Sequence, residues 1–156
     1  HVAAQNNGPE MAATLLEYGA EVAATDKEGW TPLMDAVEDN GPAVVATLLE
    51  HGADPQARDR VNATALMRAA QHNGPKVVEV LLEHGADVNA QTRDGRSALM
   101  FAAGNNQPAV VATLLDNGAD PGLRDGGGQT AVDWAQSNPK VREAEVFERL
   151  RQAATE

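Results

Sequence analysis

Residues 26–58 read DKEGWTPLMDAVEDNGPAVVATLLEHGADPQAR, and the fold follows from this stretch. Thr31 before Pro32 predicts a helix start: the threonine caps the first turn, and proline loses nothing at the first helical position. Leu33, Ala36 and Val37 fall at i, i+3 and i+4, one apolar stripe on a short helix. Asn40-Gly41 ends that helix, and Pro42 opens a second one whose stripe is Val44, Val45, Leu48 and Leu49. Gly52 closes the second helix, because glycine enters the left-handed conformation without a Cβ clash. Residues 53–63 hold Asp54, Pro55, Asp59 and Asn62 with no helical period, so they are expected to form an extended loop.

Moving outward from this stretch, the same pattern returns every 33 residues. Leu15-Leu16 recurs as Leu48-Leu49, Leu81-Leu82 and Leu114-Leu115. Pro9, Pro42, Pro75 and Pro108 keep the same step, as do Gly19, Gly52, Gly85 and Gly118. Asn62 stands where the neighbouring units have Gly29 and Gly95, which predicts positive φ at that position. A single unit carries too little apolar surface for a core, so neighbouring units must stack and share one. The expected organisation is one domain over 1–156: a partial unit at 1–25, full units at 26–58, 59–91 and 92–124, and a C-terminal cap at 125–156. The charged stretch KVREAEVFERLRQAATE is expected to form the outward-facing helix of that cap.

These residues resemble the ankyrin repeat, with its T-P-L-H-x-A signature and later L-L-x-x-G-A-D-x-N-A. The matching stretches are TPLMDAV at 31–37, TALMRAA at 64–70, SALMFAA at 97–103, TAVDWAQ at 130–136 and LLEHGADVNA at 81–90. The resemblance implies an all-α solenoid of stacked helix-turn-helix units with β-turn finger loops, whose concave face is built from fingers and first helices. It also implies a protein–protein interaction module rather than an enzyme. The signature histidine is replaced by Met34, Met67 and Met100, so packing must stand in for the expected Thr–His hydrogen bond. His1 occupies the register of Met34, so the chain starts within a unit and upstream residues are expected.

The composition excludes several classes of function. With no cysteine among 156 residues there is no disulfide, Cys-zinc site or thiol nucleophile. A net charge of −11 argues against polyanions, so neither nucleic acid nor an anionic membrane is expected as partner. No apolar run approaches the ~20 residues that span a bilayer, and no leader segment is evident, which leads us to expect a cytoplasmic protein. Histidines 51 and 84 share a register with Tyr18 and Asn117, the behaviour of a surface position at a helix end; no metal or cofactor site is expected. Gly126-Gly127-Gly128-Gln129-Thr130 lacks the lysine and spacing of a phosphate loop. Asp54, Asp87 and Asp120 recur by register, as loop-capping residues do, and Asn62-Ala63-Thr64 matches a glycosylation sequon with structural roles already assigned. No catalytic constellation remains.

Recognition residues are expected where the sequence varies within the repeated frame. The fingers offer Lys27, Glu28, Trp30, Arg60, Arg93 and Arg96. The first helices offer Asp35, Arg68 and Phe101 in one register, with Trp134 assigned to core packing, and Asp39, His72 and Asn105 in another. For Trp30 both an exposed partner anchor and a ring folded over its neighbour stay open. The expected function is a monomeric, non-catalytic module that binds a protein or peptide on this face. The alternative is a structural or regulatory segment of a larger protein, spacing or masking another domain. The charges at 26–39 sum to −4 and those at 58–73 to +2, which predicts a dipolar strip with salt-sensitive association.

Overall fold

The computed structural model describes residues 8–39, 41–105 and 108–156, which form ten helices joined by turns. Helix α1 (Pro9–Glu17) lies in the register of the second helices. The three full units supply the pairs α2 (Pro32–Asp39) and α3 (Pro42–Glu50), α4 (Ala65–His72) and α5 (Pro75–Glu83), and α6 (Ala98–Asn105) and α7 (Pro108–Asp116). The cap holds α8 (Ala131–Gln136), α9 (Pro139–Arg142) and α10 (Glu145–Ala153). First helices stack in the order α2, α4, α6, α8, and second helices in the order α1, α3, α5, α7, α10. The part of the expected turn at Asn40 and the register assignment of His1 lie outside the described residues.

Local chemistry explains the helix ends. Thr31, Thr64 and Ser97 accept the N–H of Met34, Met67 and Met100 at 3.3, 3.4 and 3.4 Å, the N-cap bond that replaces an unmade helical one. Gly52, Gly85 and Gly118 have φ of 92°, 87° and 85°, and Asn62 takes 65° as the one non-glycine residue with positive φ among the described residues. Met34, Met67 and Met100 are buried to within 1% of complete, so the thioether chains pack the core at the register where the family signature carries histidine. Each buried Leu or Val of the two stripes contributes about 1.5–3 kcal/mol, which no unit could gather without its neighbours.

Polar side chains then tie one unit to the next. The Gln56 amide donates to Gly85 O at 2.7 Å and accepts from Asp87 N at 3.0 Å. One unit later, Asn89 donates to Gly118 O at 3.2 Å and accepts from Asp120 N at 2.7 Å. The Asn138 amide reaches Ala103 O at 3.0 Å, and Asn73 bonds the Val37 carbonyl in the same manner. Asp54, Asp87 and Asp120 each accept the N–H two residues on, at 2.8–3.0 Å, in agreement with the loop-capping expectation.

The cap departs from expectation: residues 140–156 do not form a single helix. The chain bends at Glu143–Ala144, between α9 and α10. Val141 and Leu150 are both fully buried. On one continuous helix, nine residues at about 100° each would place them on opposite sides. The break lets Val141 face α8 while Leu150, with Val146 and Phe147, covers α7 and α8.

Candidate partner-binding face

Each finger is shaped by one carboxylate or hydroxyl. Asp26 Oδ1 accepts the N–H groups of Glu28 and Trp30 at 2.8 and 2.9 Å. Asp59 does the same for Val61 and Ala63, both at 2.9 Å, and Asp125 for Gly127 and Gln129, both at 2.9 Å. In the third finger, Thr92 Oγ1 takes the N–H of Arg96 at 3.1 Å. The register 26, 59, 92, 125 was open to sequence reading, since an Asp or Thr before a positive-φ residue marks such a turn. Successive fingers then bond edge to edge: Arg60 N to Glu28 O at 3.0 Å, Arg93 N to Val61 O at 3.1 Å, and Gly126 N to Asp94 O at 2.7 Å. The fingers are therefore held in place before any partner arrives.

The second carboxylate oxygen of the finger aspartate serves the first helix. Asp59 Oδ2 pairs with the Arg68 guanidinium, and Asp125 Oδ2 accepts the indole N–H of Trp134 at 3.0 Å. The N–H of Gln129 holds the Asp125 carboxyl below the usual aspartate range against a smaller opposing effect of desolvation. Trp134, the Gly127 N–H and the Arg96 charge add to the lowering. Arg68 also pairs with Glu38 at 3.2 Å and lies 3.7 Å over the ring of Trp30. Arg96 lies 5.2 Å over the ring of Trp134, and Phe101 meets Trp134 at 6.4 Å with planes tilted by 60°.

These contacts revise the candidate residues one by one. Asp35 is only 5% exposed, which corrects its assignment as a contact residue: as the first helices pack together, its register is drawn inward in this unit. Trp30 is half-buried rather than exposed, because Arg68 of the next first helix covers it. Arg68 is itself engaged by two carboxylates and a ring. Phe101 is half-buried beside Trp134. Lys27, Glu28, Asp39, Arg60, His72, Arg93, Arg96 and Asn105 are exposed. Val61, one of the variable finger-tip residues, is 56% exposed and joins them.

The charge pattern is also altered. Arg60 pairs with Glu28 at 3.3 Å across the first two fingers, so part of the expected dipole is neutralised within the molecule. Arg93 and Arg96 make no ion pair among the described residues. A groove of about 260 Å³ opens between the second and third fingers, with Val61, Ala63, Arg68, Arg96 and Phe101 in its walls. That volume lies below the ~300–1,000 Å³ of sites for drug-sized molecules.

Away from this face, His51 and His84 bond the Thr47 and Val80 carbonyls at 2.8 Å through Nδ1, and Asn117 bonds Thr113 O at 2.8 Å. Each side chain closes its helix end by donating to the carbonyl four residues back, which is why His and Asn exchange at this register. Among the described residues no group of three or more His, Asp or Glu side chains is placed to hold a metal ion. No helix among them is long and apolar enough to cross a membrane.

A scan against protein-family models matches the one described as ankyrin repeats (3 copies), over residues 1–59 and 54–125. A search of curated proteins found no match. Arrays matched by this model are in general protein–protein interaction modules and are typically non-catalytic.

Proposed function

This chain belongs to the ankyrin-repeat family, and we propose that it is a non-catalytic module that binds a protein or peptide partner on its concave finger/first-helix face. The observation that carries this reading is the finger ladder: four fingers bonded edge to edge, each locked by its own Asp or Thr, present Val61, Arg93 and Arg96 on a rigid support. Pre-organised loops spare the ordering cost that otherwise reduces affinity. Neither a nucleic acid nor a membrane fits an acidic chain of this kind, and the module acts as a monomer. Affinity capture with the wild-type chain, beside a Val61→Asp, Arg93→Glu double variant and a Glu83→Lys control on a second helix, tests the reading. The finger variant should lose partners that the control retains. Equal recovery by all three chains would overturn the concave-face assignment.

A further inference from the structure

Residues 30, 63 and 96 share one finger register, and residues 68, 101 and 134 share one first-helix register, so the pairs 30/68, 63/101 and 96/134 are equivalent places in successive units. At the first place the finger gives an indole and the helix a guanidinium: Trp30 under Arg68. At the third the roles are exchanged, with Arg96 over Trp134. At the middle place the finger gives only Ala63 opposite Phe101, and the groove of about 260 Å³ opens there. Along this face the side chains run Trp30, Arg68, gap, Phe101, Trp134, with Arg96 over the last ring.

We propose that a partner fills this gap with an aromatic side chain that has an acidic residue next to it. This rests on the concave-face reading above and names the chemistry recognised there. Three features choose an aromatic group. Arg96 stands in the groove wall with no ion pair among the described residues, in the same lining as Asp94, while Arg68 is already paired with Asp59 and Glu38; the one guanidinium left open there is a partner for the negative face of a ring. Phe101, half-buried, offers a tilted ring contact. Val61 and Ala63 offer apolar surface at the finger side. The adjoining carboxylate meets Arg93 and Arg96, which have no ion pair among the described residues. Long acidic runs are excluded by the net charge of −11, which repels them before contact.

A random heptapeptide phage library panned on the immobilised full chain tests the inference. Enriched peptides should carry Trp, Tyr or Phe beside Asp or Glu. Their affinity should fall at least tenfold on Ala63→Trp, which fills the gap with a side chain the frame already accepts at residue 30. Phe101→Arg, a residue the helix register accepts at 68, should have the same effect. Circular dichroism and the unfolding midpoint establish that each variant is folded; if Ala63→Trp is not, Phe101→Arg alone decides. Peptides that bind this face, as shown by loss on Val61→Asp, but carry basic or purely aliphatic anchors overturn the aromatic assignment and leave the concave face intact. Peptides indifferent to every finger variant overturn both readings. Failure to enrich any peptide overturns the gap as a peptide subsite, while the protein-capture experiment still decides the concave face.

Discussion

The first unit and the internal units share one helical frame, yet they are fastened very differently. Helix α1 buries only Ala12, while α3 buries Val44, Val45, Leu48 and Leu49. Met11 and Leu15, in the register of Val44 and Leu48, are 48% and 39% exposed. The polar ties fail at the same junction. Tyr18, 86% exposed, stands where His51, His84 and Asn117 close their helices. Ala23 stands where Gln56 and Asn89 bridge to the next loop, and Thr25 where Arg58 and Gln91 reach the next unit at 3.1 and 3.2 Å. A common backbone spacing therefore does not give equal local stability. Among the described residues α1 stacks on a second helix on one side only, and the side chains at three registers tie it weakly there, so unfolding of these residues should begin at α1.

The strongest way to break that comparison is to weaken an internal tie until it resembles the first. Arg68→Ala leaves the Asp59 carboxylate, 2% exposed, without its cation and should cost about 3 kcal/mol, read as a lower urea midpoint. A change below about 1 kcal/mol would show that the clamp is not a stabilising element. Leu150→Ala should cost about 2–3 kcal/mol because its side chain is fully buried in the cap, whereas Leu15→Ala, in a half-open position, should cost well under 1 kcal/mol. Similar losses for both would erase the distinction between the ends.

Backbone strain gives a third contrast. Gly95 has φ of 75°, and a Cβ there would meet Asp125 Cα at 3.0 Å and Arg124 O at 3.1 Å, backbone that cannot swing aside. Gly52 has φ of 92° but open space around it. Gly95→Ala should therefore lower stability by about 2 kcal/mol and Gly52→Ala by about 1 kcal/mol, measured by thermal unfolding. Equal effects would mean that the approach of the fingers is not tight. Acid probes the cap itself. Because the folded protein holds the Asp125 carboxyl below its unfolded value, its stabilisation is complete above the free aspartate range and disappears as pH falls through the folded value. Trp134 fluorescence should report that change, and an Asp125→Asn chain should lack it.

The gentlest test runs in the opposite direction. Ala23→Gln places in the first junction the amide that Gln56 supplies in the next. It should stabilise α1 by about 0.5–1 kcal/mol and slow its amide hydrogen exchange several-fold. Unchanged exchange would show that buried apolar area alone separates the first unit from the others.

Much of this was legible in the chain. The caps at Thr31, Thr64 and Ser97, the positive φ at Asn62 and the buried methionines follow from local rules that act over three or four residues. The candidate face was only partly legible. Its exposed members, such as Arg93 and Arg96, were found because they vary within a fixed frame. Asp35 varies within the same frame yet is buried, because variation at a register does not by itself give exposure. Trp30 and Arg68 lie 38 residues apart, with nothing local to announce their contact; only the equivalent spacing of Arg96 and Trp134, with the residue types exchanged, could have signalled it.

The amino-acid sequence by itself determined the unit, its 33-residue period and the closing of each helix, because capping, proline placement and left-handed turns depend on neighbours in the chain. Tertiary structure decided which charges are spent inside the molecule, where the cap bends and where the gap beside Phe101 opens. Those outcomes depend on how side chains of different units meet across the stack. Their separation in sequence is fixed, but burial, charge neutralisation and free volume exist only once the units are packed.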